Sequence, residues 1–181
     1  MIATCLILIA VSIVQIKKVN QGLPAVCVVN TYTKDYPAEE NGVRMTPVNV
    51  HVYTVEEYNA IFGEKSEFIS FSEEQLSKMK NWKMAVFTIC YENTTDDTKI
   101  YSPYQFNAYG RKSHWNNGVS EISRLAKMSI PPRQKQTVTL VSPIVEKSII
   151  RSAWFERTEQ DQYSLIYEFY PERKELIFDY E

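Results

Sequence analysis

Glycine is scarce in this chain, with five among 181 residues, so no glycine-rich phosphate loop or dinucleotide fingerprint has room to form. Histidine numbers two and cysteine three, too few for most zinc architectures. His51 and His114 lie far apart, without the HxxxH or HExxH spacing of a metal or general-base pair. No block of like charge is present. The net charge of −2 and pI near 5.8 lack the basic footprint of a dedicated nucleic-acid binder. Nucleophile elbows and Walker motifs are also missing. The paired acids Glu56-Glu57 and Glu73-Glu74 read as first-turn helix residues facing the positive end of a dipole, and Asp96-Asp97 lacks calcium-loop spacing. These absences predict no cofactor, no bound metal and no catalytic residue.

The first sixteen residues, MIATCLILIAVSIVQI, carry no charge, and Lys17-Lys18 follow at once. As a helix the run would span roughly 24 Å, against about 30 Å for a bilayer core; snorkelling lysines can close the gap. Three readings compete: an uncleaved anchor, a cleaved signal, and a buried core element. Val14-Gln15-Ile16 is a poor cleavage site, and sixteen apolar residues without a turn signal are unusual inside a small domain. The expectation is therefore an anchor over residues 1–18, a linker over 19–24 and one domain over 25–181. The positive-inside rule alone would set Lys17 and Lys18 in the cytoplasm. The β-rich remainder favours a single-pass protein of the cell membrane with its main domain extracytoplasmic, and a basic flank upstream of the first residue would restore the usual signal-anchor pattern. Setting aside Lys17 and Lys18 leaves 18 basic residues against 22 acidic ones, a mildly acidic body of charge −4.

Hydrophobic patterning in that body is mainly that of strands. Ala25–Thr33 is rich in β-branched residues, Val48–Tyr53 alternates with Val48, Val50 and Val52 on one face, and Lys83–Glu92 is apolar on both faces, as a central strand should be. Residues 34–45 read as a polar connection turning at Asn41-Gly42, 100–109 as one aromatic strand, 111–120 as a loop around Asn117-Gly118, and 136–141 as a strand. Ile149, Ile150, Trp154 and Phe155 read as buried anchors. Residues 163–170 and 175–180 read as a closing hairpin around PERK, with Leu165, Tyr167 and Phe169 sharing one face of the first strand and Leu176, Phe178 and Tyr180 one face of the second. Two capping boxes, Thr54…Glu57 and Ser72…Gln75, predict short helices to about Phe62 and Lys80, inserted between strands, with Leu76 and Met79 as a docking stripe. About seven strands with local connections imply a mainly β, antiparallel sandwich with short inserted helices and an N-terminal hydrophobic helix.

Cys27 and Cys90 each fall within a strand. Outside the cell they can form a disulfide closing about 60 residues, worth about 3–4 kcal/mol; otherwise they are two buried thiols. Asn93-Thr94-Thr95 matches a glycosylation sequon. One segment suggests binding: Tyr101, Tyr109 and Trp115 are interleaved with Arg111, Lys112 and His114 over residues 101–115, an aromatic–cationic surface suited to a glycan, a peptide or an envelope protein.

From Lys83 onward the order KMAVFTICYENTT, an aromatic strand, WNNG, MSIPPRQKQTVTLVSPI and a closing hairpin resembles uncharacterised membrane-anchored proteins of Gram-positive bacteria with an immunoglobulin-like sandwich. Arg133 stands where their strand pattern has glycine. The resemblance implies a location and a fold, and no reaction. The functional expectation is a non-enzymatic anchored binding or scaffolding domain of the envelope. The alternatives are a small envelope hydrolase, or a toxin- or bacteriocin-immunity factor acting by sequestration.

Overall fold

A computed structural model describes residues 28–65, 68, 70–101, 106–118, 128–149 and 152–180. The expected anchor, the linker, the N-terminal helix, Cys27 and Ile150 lie outside the described residues. Among the described residues no helix is long and apolar enough to cross a membrane.

Eleven strands are described: β1 (Val29–Tyr32), β2 (Ala38–Glu40), β3 (Val43–Thr54), β4 (Trp82–Asn93), β5 (Lys99–Tyr101), β6 (Asn107–Gly110), β7 (Asn116–Gly118), β8 (Met128–Ile130), β9 (Lys135–Val145), β10 (Tyr163–Glu168) and β11 (Arg173–Phe178). They build a five-stranded sheet in the order β1-β11-β10-β6-β7, a four-stranded sheet in the order β2-β3-β4-β9, and a small β5-β8 ribbon. Every strand pair is antiparallel except β1–β11, which is parallel. That pair corrects the expectation of a wholly antiparallel body.

The two large sheets pack face to face as a β-sandwich. Met45, Val50, Phe87, Ile89 and Leu140 from one sheet meet Ala108, Tyr163, Leu165, Leu176 and Phe178 from the other, all fully or almost fully buried. The ring of Phe87 lies edge-on to both Tyr163 and Phe178, with centroids 6.2 and 5.1 Å away, a spacing favourable to aromatic pairs. The flanks also join the sheets. The Val50 amide donates to the Asp179 carbonyl, and on the other flank the Asn117 amide donates to the Pro143 carbonyl.

As the sequence predicts, β4 is central, lying between β3 and β9. The polar stretch 34–45 is more ordered than expected. Asn41 and Gly42 both take positive φ, 51° and 77°, as a two-residue hairpin requires, and they join β2 to β3. A bulge between Pro47 and Asn49 reverses the alternation of β3. Val43 and Met45 face the core before it and Val50 and Val52 after it, while Val48 sits half-buried at the switch. The predicted strand 100–109 is two strands in different sheets, β5 and β6, with 102–105 outside the described residues. Within the predicted loop 111–120, Asn116–Gly118 is β7.

Both capping boxes form. Thr54 and Glu57 bond reciprocally at the start of α1 (Val55–Phe62), and Ser72 and Gln75 do so at α2 (Glu73–Lys78). The Thr54 amide and hydroxyl hold the Glu57 carboxyl below its usual range. The α1–α2 insert covers the outer face of the four-stranded sheet. Val55 and Tyr58 bury against Met84, Val86 and Val141, with Phe62, Phe68, Phe71, Leu76 and Met79 around them. Of the remaining anchors, Ile149 and Phe155 are buried and Trp154 half-buried.

Candidate functional site: the outer face of the five-stranded sheet

Alternation sends Leu165, Leu176 and Ala108 into the core, so Ser164, Ile166, Glu175, Ile177 and Tyr109 point the other way. Among the described residues this outer face has no helical cover like that of the other sheet, yet Glu175 is fully buried on it. Two arginines pair with it. Arg111, in the turn after β6, and Arg173, at the start of β11, each place one guanidinium nitrogen on a separate carboxylate oxygen of Glu175. The Arg173 contact is 2.8 Å. The Arg173 guanidinium also lies over the Tyr109 ring, 5.4 Å from its centroid, within cation–π range. Tyr109 and His114 share a hydrogen bond of 3.2 Å between the phenol oxygen and Nδ1.

The turn that delivers Arg111 is built on Asp161. One carboxylate oxygen accepts from the Lys112 and Gln162 amides at 2.7 and 2.8 Å, and the other accepts from the Ser113 amide at 3.2 Å. Gly110 makes this approach possible, since a β-carbon there would lie 2.4 Å from Ser113 Oγ and 2.5 Å from Asp161 Oδ2. His114 takes φ 55° to bring the chain back to β7. Lys112 reaches the Gln160 carbonyl at 2.6 Å and lies over Trp154.

Of the six binding residues expected from sequence, four gather here: Tyr109, Arg111, Lys112 and His114. The other two do not. Trp115 is fully buried beside Tyr163, because the β6–β7 turn folds it inward. Tyr101 packs on Tyr91 and donates to Met45 sulfur, and burial pushes its phenol pKa up to about 12. Trp115 is a core residue, and Tyr101 is partly buried against the core. Glu175 and Arg173 complete the constellation but escaped the sequence reading, since the alternation of ELIFDY marks Glu175 as an ordinary solvent-facing residue.

Cation excess sets the chemistry. Asp161 is engaged by three backbone amides, and Glu175 balances only one of two guanidinium groups. The Arg111 side chain stays 36% exposed. Among the described residues no group of three His, Cys, Asp or Glu side chains could hold a metal ion. Cys90 is a half-buried free thiol on the outer face of the four-stranded sheet, opposite Thr46 and Thr137; the expected pairing with Cys27 falls outside the described residues. Asn93 is fully buried. Its amide nitrogen donates to the Asp97, Ile130 and Pro131 carbonyls, and its oxygen accepts from Thr95. The sequon there is an architectural knot with no free acceptor for a glycan.

No protein-family pattern and no curated protein matches the chain. Among solved structures it is similar to an uncharacterised β-sandwich protein of Clostridium difficile 630, with 10% identity, 86% of this chain and 99% of that chain covered, and a TM-score of 0.45. It is also similar to the yjhA protein of Bacillus subtilis, with 12% identity, coverage of 82% and 99%, and a TM-score of 0.40. Both likenesses are weak, and both come from Gram-positive bacteria. The sandwich architecture itself rests on the strand pairing above.

Proposed function

We propose that this chain is a non-enzymatic, immunoglobulin-like binding or scaffolding domain, held on the outer side of the cell membrane by residues 1–18. Its outer five-stranded face engages an anionic group of an envelope protein, peptide or glycan. The observation that carries the reading is the convergence of Arg111 and Arg173 on one buried carboxylate beside Tyr109 and His114. Glu175 orients the guanidinium forks before any ligand arrives, so little side-chain freedom is lost on binding. Arg111 retains exposed donors for a second carboxylate, and the Tyr109 ring and His114 supply an adjacent stacking surface.

The test is photo-crosslinking in intact cells. A crosslinking residue at position 114 should capture an envelope component, whereas the same residue at Thr139, on the outer face of the other sheet, should not. Equal capture from both positions, or capture from neither, rejects this face as the binding surface.

A further inference from the structure

We infer that the end of the sandwich carrying Val28, Val29, Phe169 and Tyr170 rests on the lipid surface as a membrane-contact tip. The inference depends on the anchored reading of residues 1–18 and goes beyond it, because a tether alone leaves the domain free to tumble above the bilayer.

The parallel β1–β11 pair supplies the geometry. Val29 sits opposite Arg173, and the Val28 carbonyl accepts from the Arg173 amide at 2.9 Å. Residue 28, where the described chain begins, therefore lies beside the turn that joins β10 to β11. That turn reads Phe169-Tyr170-Pro171-Glu172. Phe169 is 53% exposed and Tyr170 62%, while Val28 and Val29 are 49% and 44% exposed. The acid of the turn, Glu172, accepts from Asn30 at 2.8 Å. Two aromatic side chains, a proline and two valines thus face solvent together, at the point to which the apolar leader is spliced.

Length keeps the contact in range. Nine residues separate Lys18 from Val28, a reach of about 30 Å when fully extended. Within that radius the tether holds the tip at high effective concentration near the headgroups, so a weak contact is populated. Aromatic rings with an apolar body suit the headgroup boundary, and tyrosine keeps its hydroxyl in water there.

Intrinsic fluorescence of the full chain in vesicles tests the contact. Trp82, Trp115 and Trp154 all lie toward the other end. Trp82 begins β4, roughly 36 Å along the strand from Asn93; Trp115 lies by Gly110, and Trp154 by Lys112. In Phe169→Trp, and in Tyr170→Trp as a second variant, the new indole reports the tip. Full-length protein is reconstituted in phosphatidylcholine–phosphatidylglycerol vesicles with or without brominated acyl chains. Expected are co-flotation with the vesicles and a loss of about half of the added emission in brominated lipid, with little change in the parent. Co-flotation without quenching in either variant overturns the tip contact and leaves the anchor standing. Failure to co-float overturns the anchor, and the tip contact with it.

Discussion

The two outer faces of this sandwich solve the same problem by opposite means. The four-stranded sheet is sealed by its own sequence neighbours. Residues 54–79 loop out between two adjacent strands, and Tyr58, Phe62, Phe68 and Phe71 pack into an aromatic layer, with Tyr58 and Phe62 stacked at 5.2 Å. The five-stranded sheet is covered instead by two arginines, a tyrosine and the buried carboxylate between them. An aromatic layer has no donors to offer and cannot open without exposing apolar area. An arginine cover leaves the Arg111 and Arg173 side chains 36% and 28% exposed and can add a partner without uncovering the sheet. The difference is why we propose the polar face, and not the aromatic one, as the ligand surface.

The largest effect should come from unpairing that face. Replacing Arg111 and Arg173 together by Met strands a fully buried Glu175, and urea titration should show a loss of about 3–5 kcal/mol. Adding Glu175→Met should recover most of it, since a well-packed apolar replacement of a buried ionic cluster is commonly neutral. If the triple variant stays as unstable as the double, the carboxylate is not what the arginines serve. A smaller loss, about 1–2 kcal/mol or somewhat more, is expected for Gly42→Ala. There φ is 77° and a β-carbon would lie 2.3 Å from Thr95 Cγ2. That turn belongs to neither outer face, so capture at position 114 should survive.

The aromatic seal has its own signature in alkali. Burial pushes the Tyr58 phenol up to about 12 from an ordinary value of 10.0. Tyrosines in the unfolded chain release protons near pH 10 while Tyr58 in the fold holds its own, so stability is complete below pH 10 and falls as pH rises toward 12. Tyr58→Phe should reduce this fall in urea titrations at stepped pH, and at pH 7 it should raise stability by about 1 kcal/mol, because the phenol hydroxyl is buried without a hydrogen-bond partner. The smallest effect is expected at Arg133, which takes φ 58° and bonds Asp96 at 2.9 Å. Arg133→Gly relieves the left-handed backbone and removes an exposed ion pair, two opposing changes, so the thermal midpoint should hardly move. The Asp96 carboxyl, now held below its usual range by the guanidinium, should return toward it, readable by NMR titration.

Local signals were the legible ones. Thr54…Glu57 and Ser72…Gln75 encode their helices within four residues, Asn41-Gly42 encodes its turn, and the apolar run of β4 can only be central. Arg133, standing where the resembled pattern has glycine, takes φ 58°, a left-handed turn position that the sequence had left open. What escaped depends on partners remote in sequence. Alternation cannot show that Tyr101 and Asn107 enter different sheets, or that a bulge at Pro47 swaps the faces of β3. Trp115 looked like a surface ring because it neighbours Arg111, Lys112 and His114; only the hairpin pairing of β6 with β7 turns it inward. Glu175 became a site residue through Arg111, 64 positions away.

The parallel pairing of β1 with β11 has a mechanical consequence. Four residue pairs hold this ladder, and the chain enters it from the end at which the leader attaches. A pull between a fixed leader and a grip on the far part of the body loads those rungs along the strand axis, so that they share the strain and must yield together. Had the first strand paired in the opposite sense, the same tug would have peeled the rungs away one after another. If residues 1–18 are the anchor we propose, the domain is thereby wired to stay folded under traction.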